Sequence, residues 1–134
     1  MQSLNVATFV SLLGLTMAQE YQISLIESPT ACSGDSYGKY FLYASDSAGS
    51  TSSCQTLGSY PLAGGVEYCS YYDTDSDEQP CDGKAGFGAS SVNVFGAACN
   101  LFTEPGCSGT AVNVFEGCSA PGGTYQSFIC SWGA

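Results

Sequence analysis

Short runs in which apolar and polar residues alternate recur along residues 21–131, and turn-forming residues separate them. In the two runs "SVNVF" and "AVNVF", alternation places the valines on one side of a strand and Asn93 and Asn113 on the other. No segment of residues 19–134 sustains the i, i+3, i+4, i+7 apolar spacing of an amphipathic helix. The pattern predicts seven strands: "YQISLIE" (21–27), "KYFLYAS" (39–45), "VEYCSYY" (66–72), "SVNVFGA" (91–97), "CNLFT" (99–103), "AVNVFEG" (111–117) and "YQSFICS" (125–131).

Turns between these runs are rich in glycine, serine and proline, as in "SGDSYG", "EPGCSG" and "SAPGG". The 17 glycines and the scarcity of leucine disfavour long helices. Short strands joined by regular turns are typical of an antiparallel sandwich or a small barrel. We therefore predict an all-β fold, specifically a small antiparallel sandwich.

Two segments repeat one order of features. Residues 99–115, "CNLFTEPGCSGTAVNVF", read as strand, proline turn, Cys-Ser-Gly and strand, which is a hairpin. Residues 23–43, "ISLIESPTACSGDSYGKYFLY", have the same order with a longer tip. We interpret the two segments as β units of related design, and chance similarity in a chain rich in Ser, Gly and Cys is the alternative.

The start of the chain has the character of an export signal. Residues 4–15, "LNVATFVSLLGL", are apolar and uncharged, and small residues follow at Thr16 and Ala18. This is the pattern of a secretory signal peptide, here without a basic residue before the apolar run. The run is too short to span a bilayer, which takes ~20 apolar residues. We expect residues 1–18 to be a signal peptide, residues 19–134 to form a single cysteine-rich β domain, and the protein to be secreted.

The cysteines indicate a disulfide framework, because an even number in an exported chain is typical of paired thiols. No CxxC pair and no histidine occur, so the sequence disfavours a zinc site and a thioredoxin-like redox site. Closing short loops costs the least entropy, which favours sequence-local pairs. The eight cysteines are expected to form Cys99–Cys107 and Cys118–Cys130, with Cys32–Cys54 and Cys69–Cys81 as the weaker pairs.

Charge is one-sided. Twelve acidic residues stand against Lys39 and Lys84, for a net charge of −10. Such a charge repels phosphate backbones and anionic lipid heads, so nucleic acid and membrane insertion are both disfavoured as partners. An unknown extracellular protein or glycan is the expected partner.

The densest acidic stretch is "YYDTDSDEQPCDG", residues 71–83. Asp73, Asp75 and Asp77 alternate as the first ligands of an EF-hand loop do, but Glu78 occupies the position where that loop needs glycine. We interpret the segment from Asp73 to Asp82 as a solvated acidic loop and assign no metal ligand, with weak Ca²⁺ binding as the alternative.

Catalysis has little support in the sequence. Without histidine, neither a Ser-His-Asp nor a Cys-His arrangement can form, and paired cysteines supply no thiolate. A pair of carboxylates, as in a glycosidase, is the one catalytic arrangement left open. We expect a protein that is not an enzyme and that needs no cofactor.

Aromatic residues offer a candidate contact surface. Tyr68, Tyr71 and Tyr72 cluster in one run, and Trp132 lies two residues after the last cysteine. On a strand, Tyr68 and Tyr72 would share a face and Tyr71 would lie on the other. Tyrosine and tryptophan combine apolar area with a polar group, which suits glycan or protein contact. The alternative is core packing and cross-strand pairing.

One repeat resembles the opening of a βγ-crystallin Greek key. Phe102, Cys107 and Gly109 keep the spacing aromatic-x-x-x-x-aromatic-x-Gly, with the cysteine in place of the second aromatic residue. In the first unit Cys32 and Gly34 match, and an acidic residue stands where the first aromatic belongs. The resemblance implies crystallin-like Greek keys. A glycine there would adopt a positive φ, so we expect it at Gly109 and, by analogy, at Gly34.

The whole of residues 19–134 also resembles the small secreted cysteine-rich proteins of filamentous fungi. The shared features are an export signal, eight cysteines, an acidic Gly/Ser-rich body and a cysteine near the end, here in "SFICSW". This resemblance implies a secreted, non-enzymatic protein that acts outside the producing cell as an effector-like or antimicrobial protein. A carbohydrate- or cell-wall-binding structural module and a secreted hydrolase inhibitor are the alternatives.

Overall fold

The computed structural model describes residues 20–47, 50–74 and 77–133. In these residues the chain forms two antiparallel sheets and one short 3₁₀ turn, Ala31–Ser33, so the all-β prediction is confirmed. Over the same residues, no helix has the length and apolar character needed to cross a membrane. The predicted signal peptide, residues 1–18, lies outside the described residues.

The strands fall into two sheets that we call sheet I and sheet II. In chain order the strands are β1 (Tyr21–Ile26), β2 (Tyr40–Ser45), β3 (Ser50–Thr51), β4 (Gln55–Thr56), β5 (Tyr68–Tyr72), β6 (Glu78–Pro80), β7 (Ser91–Phe95), β8 (Ala97–Glu104), β9 (Ser108–Val114), β10 (Gly117–Ser119) and β11 (Ser127–Trp132). Sheet I has the order β10-β7-β1-β2-β5-β6. Sheet II has the order β9-β8-β11-β3, and β4 also pairs with β11.

All seven predicted strands are present, with ends that differ by a few residues. The predicted hairpins are also present, as β1–β2 and β8–β9. Strands β3, β4, β6 and β10 were not predicted, and they have only two or three residues each. A period-two alternation cannot be recognised over so short a run, and these strands exist because a longer strand lies beside them.

Each half of the chain supplies short strands to the sheet of the other half. Strand β10 belongs to the second half by sequence, yet it pairs with β7 in sheet I. Strands β3 and β4 belong to the first half, yet they pair with β11 in sheet II. Neither half can therefore complete its sheet alone, and the two halves form one structure.

The core lies between the sheets and is rich in aromatic side chains. Tyr43 of sheet I packs against Phe128 of sheet II, with ring centroids 5.1 Å apart. Val92 and Val94 are buried while Asn93 is exposed, as their alternation predicts. Fully burying a side chain of this kind stabilises the fold by ~1.5–3 kcal/mol, so these contacts between the sheets are a main source of stability.

The two hairpin units are held by the same kind of hydrogen bond. The hydroxyl of Ser91, the first residue of β7, donates to the carbonyl oxygen of Ser28 at 2.7 Å. The hydroxyl of Ser127, the first residue of β11, donates to the carbonyl oxygen of Glu104 at 2.6 Å. Both accepting residues directly precede the proline of their turn. This correspondence supports our interpretation of the two units as related in design.

The glycines of the two hairpin tips confirm the expected backbone conformation. Gly109 has φ +82° and Gly34 has φ +100°. The contacts around Gly109, however, correspond to those around Gly38 of the first unit and not to those around Gly34. A Cβ at Gly109 would meet the Thr103 hydroxyl, and one at Gly38 (φ +70°) would lie 3.1 Å from Glu27 Oε1. The next backbone N–H donates to that same side chain in both units, so Gly38 is the structural counterpart of Gly109.

All eight cysteines are paired and none is free. The pairs are Cys32–Cys118, Cys54–Cys107, Cys69–Cys81 and Cys99–Cys130. The predicted Cys69–Cys81 pair is confirmed, and the other three predicted pairs are wrong.

Sheet order explains the error in pairing. Strand β11 lies beside β8, which makes Cys99 and Cys130 direct partners across the two strands. The other two long-range disulfides, Cys32–Cys118 and Cys54–Cys107, join the first half of the chain to the second. Loop-closure entropy adds only about 0.6 kcal/mol per doubling of loop length, so strand pairing overrides the preference for local loops.

Candidate contact surface

Two of the predicted contact residues lie on the outer face of sheet I. Tyr68 and Tyr72 alternate along β5, opposite the side chains that enter the core. The Tyr72 ring stacks on Tyr40 of β2, with centroids 4.6 Å apart and an interplanar angle of 10°. Tyr37 meets Tyr40 edge-on at 5.0 Å. These rings form a continuous aromatic group, in which the face shared by Tyr40 and Tyr72 is closed to a ligand.

The hydroxyls of Tyr40 and Tyr72 are neutral donors. Burial, followed by the neighbouring Tyr72 and Tyr37, raises the pKa of Tyr40 above its ordinary value. Burial and then the charge of Glu78 raise the pKa of Tyr72. At neutral pH both phenols therefore keep their protons and can donate to an acceptor such as a sugar hydroxyl or a carbonyl oxygen.

Tyr68 is the most open of the predicted residues, with 48% of its surface exposed. Its hydroxyl donates to Asp46 Oδ2 at 3.3 Å. The charge of Asp46 and this hydrogen bond raise the pKa of Tyr68. The phenol of Tyr68, at the start of β5, is thus protonated and held toward Asp46, which directly follows β2.

Tyr71 points the other way and packs against the core. Its ring meets Phe41 edge-on at 5.0 Å, and Lys84 Nζ lies 5.5 Å from its centroid. Phe87 also stacks on Phe41, with centroids 5.4 Å apart, and Lys39 Nζ lies 5.9 Å from the Phe87 centroid. Both basic side chains of the chain thus lie over aromatic rings, where cation–π attraction favours them.

Trp132 is a core residue, with 5% of its surface exposed. Its ring packs against Tyr21 with centroids 4.3 Å apart, and its Nε1 donates to the carbonyl oxygen of Ser47 at 3.2 Å. The Trp132 ring therefore contributes to packing between the sheets and not to the surface.

The acidic loop is described only in part. Asp73 accepts a hydrogen bond from Gln79 Nε2 at 3.0 Å, which ties the two ends of the loop together. Asp77 is exposed, and Asp75 lies outside the described residues. Over the part of the chain that the structure describes, no group of three His, Cys, Asp or Glu side chains could hold a metal ion.

Sequence reasoning missed the most exposed apolar side chains. Phe95 is 58% exposed and Phe115 is 65% exposed. Phe95 ends β7, and Phe115 directly follows β9. The signal was present in the repeated "VNVF", where alternation puts each phenylalanine on the side of the exposed asparagine.

Comparison with models of known protein families, with curated proteins and with solved structures gives no match to this chain.

Proposed function

We propose that this chain is a secreted, non-enzymatic protein that acts by binding outside the producing cell, in an effector-like or antimicrobial role. The observation that carries the proposal is the pairing of all eight cysteines, because four disulfides persist only in an oxidising compartment such as the extracellular space. Two of them join the halves of the chain and would keep a small domain folded in a hostile medium. The resemblance to small cysteine-rich fungal proteins supports the role.

The fold proposal that accompanies this function is a pair of βγ-crystallin-like Greek keys. Three features support it: the short strands that each half gives to the other sheet, the paired Ser91 and Ser127 hydrogen bonds, and the positive φ of Gly38 and Gly109. Backbone NOEs should place β10 beside β7 and β11 between β8 and β3. NOEs that paired β10 with β9 instead would contradict this arrangement.

The function is tested with purified residues 19–134 in the oxidised form. We expect the protein to slow the growth of competing fungi or bacteria, or to be retained by plant or animal cell-surface proteins, at concentrations where the reduced and alkylated protein has no effect. Alkylation is the matched control because it removes the fold and leaves composition and charge almost unchanged. Equal activity of the two forms, or no effect of either on any microbe or host surface, would contradict the proposal.

A second candidate function is binding to a glycan or cell wall. The aromatic group of Tyr37, Tyr40 and Tyr72 favours it, because phenol hydroxyls beside stacked aromatic rings suit sugar contact. Pulldown on chitin, β-glucan and cellulose would compare the native protein with Tyr72→Ser. Tyr60→Ser is the control, since Tyr60 is 55% exposed outside this group. Retention that depends on Tyr72 and not on Tyr60 would favour this function over the first.

A further inference from the structure

One edge of sheet I carries an unusual row of side chains. Antiparallel pairing brings the starts of β1, β5 and β10 and the ends of β2 and β7 to the same edge. Across the strand order, the residues at or next to these ends are Glu116, Phe95, Glu20, Asp46 and Glu67. With strands about 4.8 Å apart, the row spans about 19 Å. We call this row, together with Phe115, the acidic edge.

Two carboxylates of the acidic edge, those of Glu116 and Glu67, are held in place by hydrogen bonds. Glu116 Oε1 accepts a hydrogen bond from the Gly96 backbone N–H at 2.8 Å. Glu67 accepts from the hydroxyls of Ser47 at 2.6 Å and Ser45 at 2.9 Å. These hydroxyls and a backbone N–H lower the pKa of Glu67 to about 2. Glu67 therefore presents a fixed negative charge at any physiological pH.

Apolar surface lies within the same edge. Phe95 ends β7 at the crossing to sheet II, and Phe115 lies in the neighbouring crossing from β9 to β10. The Gly96–Glu116 hydrogen bond ties these two crossings together. The two phenylalanines are the most exposed large apolar side chains among the described residues. Aromatic side chains rimmed by charge are the composition of a protein-binding surface, in which the aromatic anchors carry most of the affinity.

No basic side chain balances this edge. Lys39 precedes β2 and so lies at the opposite edge of sheet I, and Lys84 lies over Tyr71. Cleavage after Ala18 would add one α-amino group near Glu20, which leaves the edge negative. A second copy of the chain would bring the same carboxylates against one another at a net charge of −10 per copy, so self-association is disfavoured.

We propose that the acidic edge is a docking surface for a basic segment of a partner protein, one that presents lysine or arginine around apolar side chains. Charge complementarity would steer the encounter and select the partner, and burial of Phe95 and Phe115 would supply affinity. The inference deepens the proposed function and rests on it in one respect, namely that the protein acts by binding.

The test uses ¹⁵N-labelled residues 19–134 in the oxidised form and three synthetic decapeptides as probes: alternating Lys and Leu, alternating Lys and Ser, and alternating Glu and Leu. We expect the Lys-Leu peptide to bind about tenfold more tightly than the Lys-Ser peptide and to shift the amide signals of Phe95, Gly96 and Glu116. The Glu-Leu peptide should not bind. Affinity for both lysine peptides should fall as salt is raised toward about 0.15 M and beyond.

Variants separate the apolar and charged parts of the surface. The double substitution Phe95→Ser and Phe115→Ser should reduce Lys-Leu affinity to the Lys-Ser level, while Tyr60→Ser leaves it unchanged. The double variant Glu20→Gln with Glu116→Gln should bind both lysine peptides more weakly, because two negative charges are removed. The amide oxygen at position 116 can still accept the hydrogen bond from the Gly96 N–H, so the local structure is kept. A dispersed amide spectrum confirms that each variant is folded.

Three outcomes would overturn the inference: equal affinity for the Lys-Leu and Lys-Ser peptides, shifts confined to residues outside the acidic edge, or a concentration-dependent dimer that is lost in the double serine variant. The last result would assign the edge to a second copy.

Growth and host-binding assays of the double serine variant distinguish the docking surface from the proposed function. Full activity of that variant would refute the docking surface alone, whereas an inactive native protein that still binds the Lys-Leu peptide at this edge would refute the proposed function alone.

Discussion

Gly109→Ala should destabilise the protein well beyond the ordinary effect of losing a glycine, because two separate penalties meet at this position. Gly109 has φ +82°, a left-handed conformation that costs an L-residue roughly 1–2 kcal/mol. An added Cβ would also clash with the Thr103 hydroxyl and lie 3.1 Å from Glu104 Cγ. Displacing that hydroxyl removes the acceptor of the Thr110 N–H, a 3.0 Å hydrogen bond worth about 0.5–1.5 kcal/mol. The expected loss is therefore about 2–4 kcal/mol.

Gly106→Ala is the matched control. Gly106 lies in the same hairpin tip with φ +72°, but a Cβ there would meet nothing within 4 Å. Only the backbone penalty applies, so we expect a loss of roughly 1–2 kcal/mol. The difference between the two variants thus isolates the contact with Thr103.

Urea unfolding of the oxidised protein, followed by tryptophan fluorescence, measures both losses, since Trp132 lies in the core. Thermal melts should show the same ranking, at roughly 4 °C per kcal/mol for a domain of this size. In a Thr103→Ala background the clash is absent, so the cost of Gly109→Ala should fall toward that of Gly106→Ala. Equal losses for the two glycine variants in the native background would refute the reasoning and remove the main support for the crystallin-like fold.

Three further predictions follow from the hydrogen bonds and disulfides. Ser127→Ala should lower the free energy of unfolding in urea by ~1–3 kcal/mol, because the buried hydroxyl accepts from the Cys107 N–H and donates to the Glu104 carbonyl oxygen. Ser131→Ala at an exposed position is the control and should cost under about 0.5 kcal/mol, and similar losses for the two variants would contradict this role of Ser127. Replacing Cys32 and Cys118 by alanine should cost about 1 kcal/mol more stability than replacing Cys69 and Cys81, because the first disulfide closes the longer loop, with a sequence separation of 86 against 12. The difference is no larger because Cys54–Cys107 also joins the two halves, and the reverse ranking would contradict this reasoning. The pKa of Glu67 is about 2 in the folded protein and 4.5 ordinarily, so this carboxylate contributes stability above about pH 4.5 that is lost as pH falls toward 2. The difference in free energy of unfolding between the native protein and Glu67→Gln should therefore close between pH 4.5 and 2, and a difference independent of pH would contradict this role of Glu67.

The crystallin-like resemblance was carried by backbone features that a short sequence can encode. The tight hairpin tip formed by "EPGCSG" needs residues that tolerate positive φ, and the structure has positive φ at Gly106, Cys107 and Gly109. The counterpart in the first unit was harder to find, because the longer tip contains Gly34 and Gly38, both with positive φ. Only the position of the Glu27 side chain distinguishes Gly38 as the equivalent of Gly109.

The contact surface shows how far alternation alone can be used. Alternation correctly separates Tyr71 from Tyr68 and Tyr72, since period two is a property of any strand. Alternation does not say which face is covered, and so the burial of Trp132 against Tyr21 could not be predicted. That contact depends on sheet II packing over the first strand of sheet I.

By itself, the sequence determined the all-β class, the seven longer strands, the two hairpins and the positive φ of Gly34 and Gly109, because each of these depends on residues within a few positions of one another. The tertiary structure alone decided the sheet order, and with it three of the four disulfides and all of the short strands. It also decided the acidic edge, in which residues 20, 46, 67, 95 and 116 meet although long segments of chain separate them. Loop-closure entropy distinguishes too weakly between short and long connections for the sequence to fix such neighbours, whereas the burial of both inner sheet faces selects one strand order.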